Sequence, residues 1–422
     1  MSRIPGPKSH ALRARLAARE SQNVTYLADD FPIFWESASR ATVTDVDGNT
    51  YTDLTAAFGV AAVGHANPAV AAAIAAQAEQ LMHGMGDVHP TEVRVRLLER
   101  LMRVLPRGFE KAFLTTTGSE AVEAAMKTAV LATEKFSFAS YAGAYHGLSL
   151  GALALCGIER FRAPFAGVLP SRPLLLEYPH FATPLDDALS AARATLARRD
   201  DLAALFVEPI QARGGCIVPP PGYLRGLREI CSELDMLLVV DEIYTGFGRT
   251  GEWFACAHDG VTPDLLCIGK AIGGGFPIGA LVGSASTMDA WPRSTGEALH
   301  TSTFLGNPMG CAAAIATIEE IDRLSLPARA KRLGMEFASR LQAFAEIAGV
   351  VDVRGRGLMW GIELRDGALA ERVVKAALAR GVIALQAGVR GEVISITPPL
   401  VIGGDELDRA LAVLRDAIAR AG

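Results

Sequence analysis

Lys270 ends an apolar run, Pro263-Asp264-Leu265-Leu266-Cys267-Ile268-Gly269-Lys270, and opens onto Ala271-Ile272-Gly273-Gly274-Gly275-Phe276-Pro277. A run of that kind predicts a buried strand, and the glycines after it let the backbone approach a ligand closely. A lysine at such an exit is partly desolvated. Burial disfavours its ammonium and lowers its pKa, which makes the amine a usable nucleophile. Of the lysines at 8, 111, 127, 135, 270, 331 and 375, only Lys270 has this setting. One isolated lysine is more often structural, so the case rests on the residues around it.

Three other segments could serve the same chemistry. Thr117-Gly118-Ser119-Glu120 follows an apolar run and opens an amphipathic helix. Unpaired N–H groups at a helix N-terminus bind phosphate, and the same four residues also read as a capping box. Tyr145-His146-Gly147 offers an aromatic side chain that could cover a flat ring, or else a surface loop. Leu237-Leu238-Val239-Val240-Asp241-Glu242 reads as a buried strand ending in carboxylates, one strand-and-loop unit before Lys270. Asp241 there could pair with a protonated ring nitrogen, or cap the loop through Gly246-Phe247-Gly248-Arg249-Thr250-Gly251. A phosphate site, a ring cover, a ring-nitrogen carboxylate and a Schiff-base lysine, in this order, describe pyridoxal phosphate.

Placing these residues together requires strand ends along one sheet edge. From about residue 66 to 324, helical patterns at 118–131, 186–199 and 222–234 alternate with short apolar strands at 111–115, 202–208, 236–241 and 264–268. That alternation predicts an α/β domain around a mainly parallel sheet, which binds ligands where its strands end. Residues 1–40 read as helical and then irregular, and 42–54 as a hairpin around Asp47-Gly48. From 326 onward, helices and strands at 350–354, 358–364 and 392–396 predict a smaller α+β domain. The division expected is an N-terminal segment at 1–60 that joins the small domain, a large cofactor-binding domain at 61–325, and a C-terminal small domain at 326–422. The 422 residues are half hydrophobic and carry a net charge of −5. Neither a nucleic-acid footprint nor a membrane-spanning run is present, and no secretory signal opens the chain. Six cysteines without Cys-x-x-Cys spacing argue against a metal site or disulfide framework and for a cytoplasmic protein.

From Thr42 to Ile402 the chain resembles the class III pyridoxal-phosphate aminotransferases, the group of ornithine, acetylornithine and 4-aminobutyrate aminotransferases. The matching segments are Gly64-His65-Ala66-Asn67-Pro68, Thr117-Gly118-Ser119-Glu120-Ala121, Tyr145-His146-Gly147, Glu208-Pro209-Ile210-Gln211, Asp241-Glu242 through Gly251, Gly269-Lys270-Ala271-Ile272-Gly273-Gly274-Gly275, Thr303-Phe304 with Gly306-Asn307-Pro308, and Thr397-Pro398-Pro399-Leu400. The resemblance implies fold type I and a homodimer with shared active sites. It implies that Lys270 holds the cofactor as a Schiff base and Asp241 meets the pyridine nitrogen. Gly118 and Ser119 would hold the phosphate, Tyr145 and Ile243 would flank the ring, and Gln211 would stand beside its hydroxyl. Thr303 would reach the phosphate in the neighbouring subunit, and His146 and Glu208 fall in the same cofactor motifs. The reaction implied is ping-pong transfer of an amino group from an amine or ω-amino acid to a 2-oxo acid. Aminomutase, racemase and decarboxylating chemistry are the alternatives on the same scaffold, and a non-catalytic cofactor protein is a third reading.

On the substrate side the chain departs from its relatives. Ser395 stands where enzymes of α-amino acids carry an arginine for the α-carboxylate, and Leu148 where 4-aminobutyrate enzymes carry another. Arg213 replaces the glutamate that pairs with the first of these arginines. Phe58, Arg213, Arg390 and Ser395 are therefore the candidate substrate residues. Arg213 is expected either to bind a carboxylate or to face solvent or a structural acid such as Glu208.

Overall fold

A computed structural model describes residues 4–170 and 172–421. Its centre is a seven-stranded sheet in the order Lys111–Thr115, Gly279–Gly283, Leu265–Ile268, Leu237–Asp241, Leu202–Val207, Ser137–Tyr141, Leu174–Leu176. Every pairing is parallel except the two made by Gly279–Gly283. Because that strand runs against both neighbours, Lys111–Thr115 points the same way as the remaining five. Six strands thus end at one edge. Leu202–Val207 and Gly279–Gly283 are buried along their whole length, as a sheet covered on both faces requires. The expected helices appear as Gly118–Thr133, Leu185–Leu196 and Tyr223–Glu233, and they supply that cover.

The segment Gly279–Gly283 was not expected as a strand. It is a five-residue apolar run directly behind the triple glycine and Pro277, and periodicity has no room to register there. A second correction concerns residues 1–40. Pro7–Ala17 is helical, but Trp35–Ser39 is a strand paired antiparallel with Thr42–Asp45, not irregular chain. Arg40, at φ 54°, makes the tight turn between them. The hairpin of Thr42–Asp45 and Thr50–Asp53 forms as expected, with Gly48 at φ 84° in its turn.

Two further sheets flank the large one. Thr50–Asp53 pairs in parallel with Val382–Ile383, so the N-terminal hairpin is continued by a strand from the far end of the chain. Val350–Arg356, Met359–Leu364, Val393–Ile396 and Leu385–Ala387 form an antiparallel sheet of four. The helices Gly367–Leu378 and Gly404–Ala421 complete this part, their apolar stripes (Leu369, Val373, Ala377; Leu407, Leu411, Leu414, Ile418) fully or nearly fully buried.

Candidate active site

The strand ends of the large sheet open into a cavity of about 850 Å³, walled on its far side by Leu385–Ala387, by Ser395 and Thr397 of the smaller sheet and by the helix Gly367–Leu378. Gly118, Ser119, Tyr145, His146, Glu208, Asp241, Ile243 and Lys270 all line it. Between them they follow, or close, five strands of one edge, which is why residues up to 152 positions apart in sequence meet.

Asp241, the last residue of its strand, is 4% exposed. Its Oδ1 accepts the Ile243 N–H at 3.0 Å and its Oδ2 lies 2.8 Å from His146 Nδ1. Burial disfavours the charged imidazole, but the hydrogen bond to Asp241 and that carboxylate's charge outweigh it and raise the His146 pKa. The result is a buried carboxylate fixed in orientation from two sides, with the Nε2 of His146 left without a partner.

Lys270 follows Leu265–Ile268 in a short 3-10 turn and takes a left-handed φ of 45°. A non-glycine residue in that region is strained, and such strain collects at functional positions. Its Nζ has no hydrogen-bond acceptor among the described residues and lies 4.5 Å from the centre of the Tyr244 ring. Burial pulls its pKa down, with Asp241 and then Glu208 pulling back. Tyr244 was not read from the sequence, although its place directly behind Asp241-Glu242-Ile243 was a signal. Its hydroxyl is 3.1 Å from Thr397 Oγ1, which ties the ring to the smaller sheet.

The helix Gly118–Thr133 is capped by Thr117, whose Oγ1 accepts the Glu120 N–H at 3.2 Å. Glu120 turns back to the N–H and hydroxyl of Thr116, each at 2.7 Å, so only one arm of the capping box is made in its usual form. Glycine is required at 118, because a Cβ would come within 2.7 Å of Ile243 Cδ1. Ile243 therefore lies flat against the helix start and makes an apolar floor. Gly147, at φ 124°, presses equally closely on Ser119.

Glu208 is the buried brace behind this wall. Its two carboxylate oxygens accept the N–H groups of Tyr145 at 2.9 Å and Ala212 at 3.1 Å. Burial pushes its pKa up to about 7. Gln211 donates to Ala142 O at 2.8 Å, and its Oε1 is buried without a partner.

The remaining candidates divide. Phe58, Leu148, Arg213 and Ser395 line the cavity. Phe58 is held there, 63% exposed, by an unusual run in which Ala56, Ala57 and Phe58 all have positive φ. Gln211, Thr303 and Arg390 are not in the lining. Arg390 lies apart from the cavity: the turn between Gly388 and Gly391, both at positive φ, carries its side chain outward, 71% exposed and 3.7 Å from Glu392. Phe161, from the short polar helix Glu159–Arg162, lines the wall beside Tyr145 and had no signal in the sequence.

These residues fit pyridoxal phosphate. An unbonded lysine amine, a buried carboxylate with an oriented face, uncommitted N–H groups at a helix start and an apolar floor under them are the groups its carbonyl, ring nitrogen, phosphate and ring need. The sequence profile of the family Aminotransferase class-III matches residues 25–418. Acetylornithine aminotransferase of Methanopyrus kandleri is 40% identical over 392 residues, 93% of this chain and 96% of that one. Putrescine aminotransferase of Pectobacterium atrosepticum is 36% identical over 413 residues, 94% of this chain and 85% of its own. Among solved structures, the ornithine aminotransferase of Toxoplasma gondii, with pyridoxal phosphate at its active site, superposes with a TM-score of 0.88 at 30% identity, covering 98% and 94% of the two chains. A transaminase of the marine bacterium Virgibacillus superposes at 0.91 with 27% identity, covering 97% and 99%. With a profile match over nearly its whole length and a cavity furnished for that cofactor, the chain belongs to the class-III aminotransferases, the pyridoxal-phosphate-dependent transaminases.

Proposed function

We propose that the enzyme takes the amino group of an amine or ω-amino acid and passes it to a 2-oxo acid, by two half-reactions in the one cavity. The observation that carries the residue assignment is the buried, unbonded Lys270 amine opening on the same cavity as the Asp241–His146 pair. When bound, pyridoxal phosphate supplies a carbonyl that captures amines and a protonated ring that accepts electrons from the substrate carbon. Lys270 would be the covalent anchor. Its Nζ, an amine lowered in pKa, would also be the acid–base group that carries the proton from the substrate carbon to the cofactor's carbonyl carbon. Asp241 would keep a proton on the ring nitrogen, and His146 would hold that carboxylate in place. Gly118 and Ser119 would bind the phosphate through backbone N–H groups, Tyr145 and Ile243 would flank the ring, and Gln211, behind the wall with its Oε1 unpartnered, would stand on the side of the ring hydroxyl. Glu208 acts through the two N–H groups it fixes.

A terminal amine as donor is supported by the relatives, whose substrates acetylornithine, putrescine and ornithine each carry one. Phe58 and Ser395 are proposed to bound the donor's chain. The division at 1–60, 61–325 and 326–422 is supported by the pairing of Thr50–Asp53 with Val382–Ile383, which joins the first part to the third. A homodimer is supported by Thr303, which is exposed and outside its own chain's cavity lining. The cytoplasmic assignment is supported by six unpaired, buried cysteines. No described helix is long and apolar enough to cross a membrane. The test is a panel of terminal amines mixed with the cofactor-loaded enzyme. At least one amine is expected to convert the cofactor stoichiometrically to its pyridoxamine form, with a 2-oxo acid reversing the change. A panel in which only α-amines react would overturn the donor class.

A further inference from the structure

Arg213 sits on a turn fixed from both sides. Gln211 and Ile217 exchange two backbone hydrogen bonds of 3.1 Å across it, and the Gly388 N–H donates to Arg213 O at 2.9 Å. With the backbone pinned, the side chain reaches the cavity wall, where its guanidinium carbon lies 6.0 Å from the centre of the Phe161 ring. The guanidinium of Arg160 lies 5.0 Å from the same ring. Arg213 makes a single long hydrogen bond, to Gly388 O at 3.4 Å, and neither arginine has an ion pair among the described residues. Nearby acids are already committed. Glu208 holds two backbone N–H groups, and Glu392 accepts the Arg390 N–H at 2.8 Å. Arg354 shows what a structural arginine looks like in this fold, bonded to Asp352, Glu363 and Gly215 O.

Burial lowers the Arg213 pKa, and the charge of Arg160 lowers it further. An arginine half-buried in the cavity wall without an ion pair, with a second arginine nearby, is a receptive place for an anion. A planar fork with its N–H groups uncommitted suits a carboxylate, which it can meet with two parallel hydrogen bonds.

We infer that Arg213, set beside Phe161 and seconded by Arg160, is the carboxylate-binding residue of this cavity and selects acidic substrates and acceptors. This rests on the aminotransferase reading above and deepens it.

Calorimetry on the cofactor-loaded enzyme with glutarate, and with its neutral diamide as control, isolates the effect from turnover. Arg213→Gln is expected to cut the preference for glutarate over the diamide roughly ten- to a hundredfold, the worth of a charge-assisted pair. Arg160→Gln is expected to weaken glutarate less and to flatten its dependence on salt, since an exposed charge acts through solvent. An unchanged preference in Arg213→Gln, or no glutarate binding by the wild type, overturns the assignment. Should that variant not fold, Arg213→Lys keeps the charge without the fork. It too must weaken glutarate, and failing to do so overturns the assignment. The amine half-reaction on the same wild-type sample tests the donor reading separately: glutarate binding without any amine conversion would sink that reading and leave this one standing.

Discussion

Lys270 must be unprotonated to react, and its surroundings lower the cost of losing the proton. In its proposed role, replacing it would remove both anchor and proton carrier. Lys270→Ala is expected to lose about 10²- to 10⁴-fold or more in turnover, the usual worth of a positioned acid–base group. Borohydride treatment followed by peptide mass analysis should find cofactor on the Lys270 peptide of the wild type and none in the variant; cofactor retained elsewhere would move the anchor. Asp241→Asn keeps the size and one acceptor for His146 but no negative charge. It is expected to slow the amine half-reaction about 10²- to 10³-fold with the cofactor still bound, as loss of one preorganised charge does. An unchanged half-reaction rate would remove Asp241 from the ring nitrogen. Glu208 makes a different prediction, about stability. Its folded-state pKa is raised from 4.5 to about 7. The folded state therefore holds a proton that the unfolded state has released, so this contribution is full below pH 4.5 and is lost as pH rises through 7. The loss is on the order of 3 kcal/mol for the cofactor-free protein. Glu208→Gln carries a fixed penalty, since its amide oxygen can accept one of the two N–H groups but its nitrogen cannot accept the other, and no titration. Urea unfolding of both proteins from pH 4 to 8 should show the wild type losing stability relative to the variant across that window. A constant difference would mean that Glu208 does not titrate there.

At the scale of elements, the site is a consequence of strands that end together, and the glycines decide how closely the following loops approach. Gly147 is the sharpest case, because it needs a φ of 124° and a Cβ there would overlap the Ser119 hydroxyl. Gly147→Ala is expected to cost about 1–3 kcal/mol through strain and overpacking. Because the displaced residue is Ser119, cofactor affinity should fall as well, read by dialysis against limiting cofactor; a variant with wild-type affinity would separate this loop from the phosphate site. Such crowding explains how much of the site is legible in sequence. Asp241, Tyr145, Glu208 and Lys270 could be placed on one edge because apolar runs with clear ends precede them. Their shared cavity follows from parallel topology alone. The inserted strand Gly279–Gly283 was hidden by its shortness, and the turn at Arg40 by the absence of any glycine in it. The positive φ of Lys270 and of Ala56 to Phe58 is imposed by tertiary packing and leaves no mark on local composition. Phe161 and the pinned turn under Arg213 belong to the same class, since contacts between distant segments decide where those side chains go.

At the scale of the molecule, one chain leaves part of the expected site unused. Thr303 is exposed and outside its own cavity lining, while Leu81, Met82, Met85, Val88, Leu299 and Phe304 expose large apolar side chains. Exposed apolar groups in that number near an exposed Thr303 are expected to be covered by a second copy, and a twofold axis would give each cavity the other's Thr303. If each site combines Lys270 of one subunit with Thr303 of the other, Lys270→Ala and Thr303→Arg are each inactive as homodimers. In the mixed dimer one site carries both substitutions, and the other carries none. Random exchange makes half the dimers mixed, so activity should return to about a quarter of the wild-type value. If Lys270 and Thr303 act within one chain, each site of the mixed dimer keeps one defect and nothing returns. Subunit exchange is verified by tagging the two variants differently and isolating the doubly tagged species. A doubly tagged dimer without activity would assign Thr303 to its own chain's site and remove the reason for a shared site.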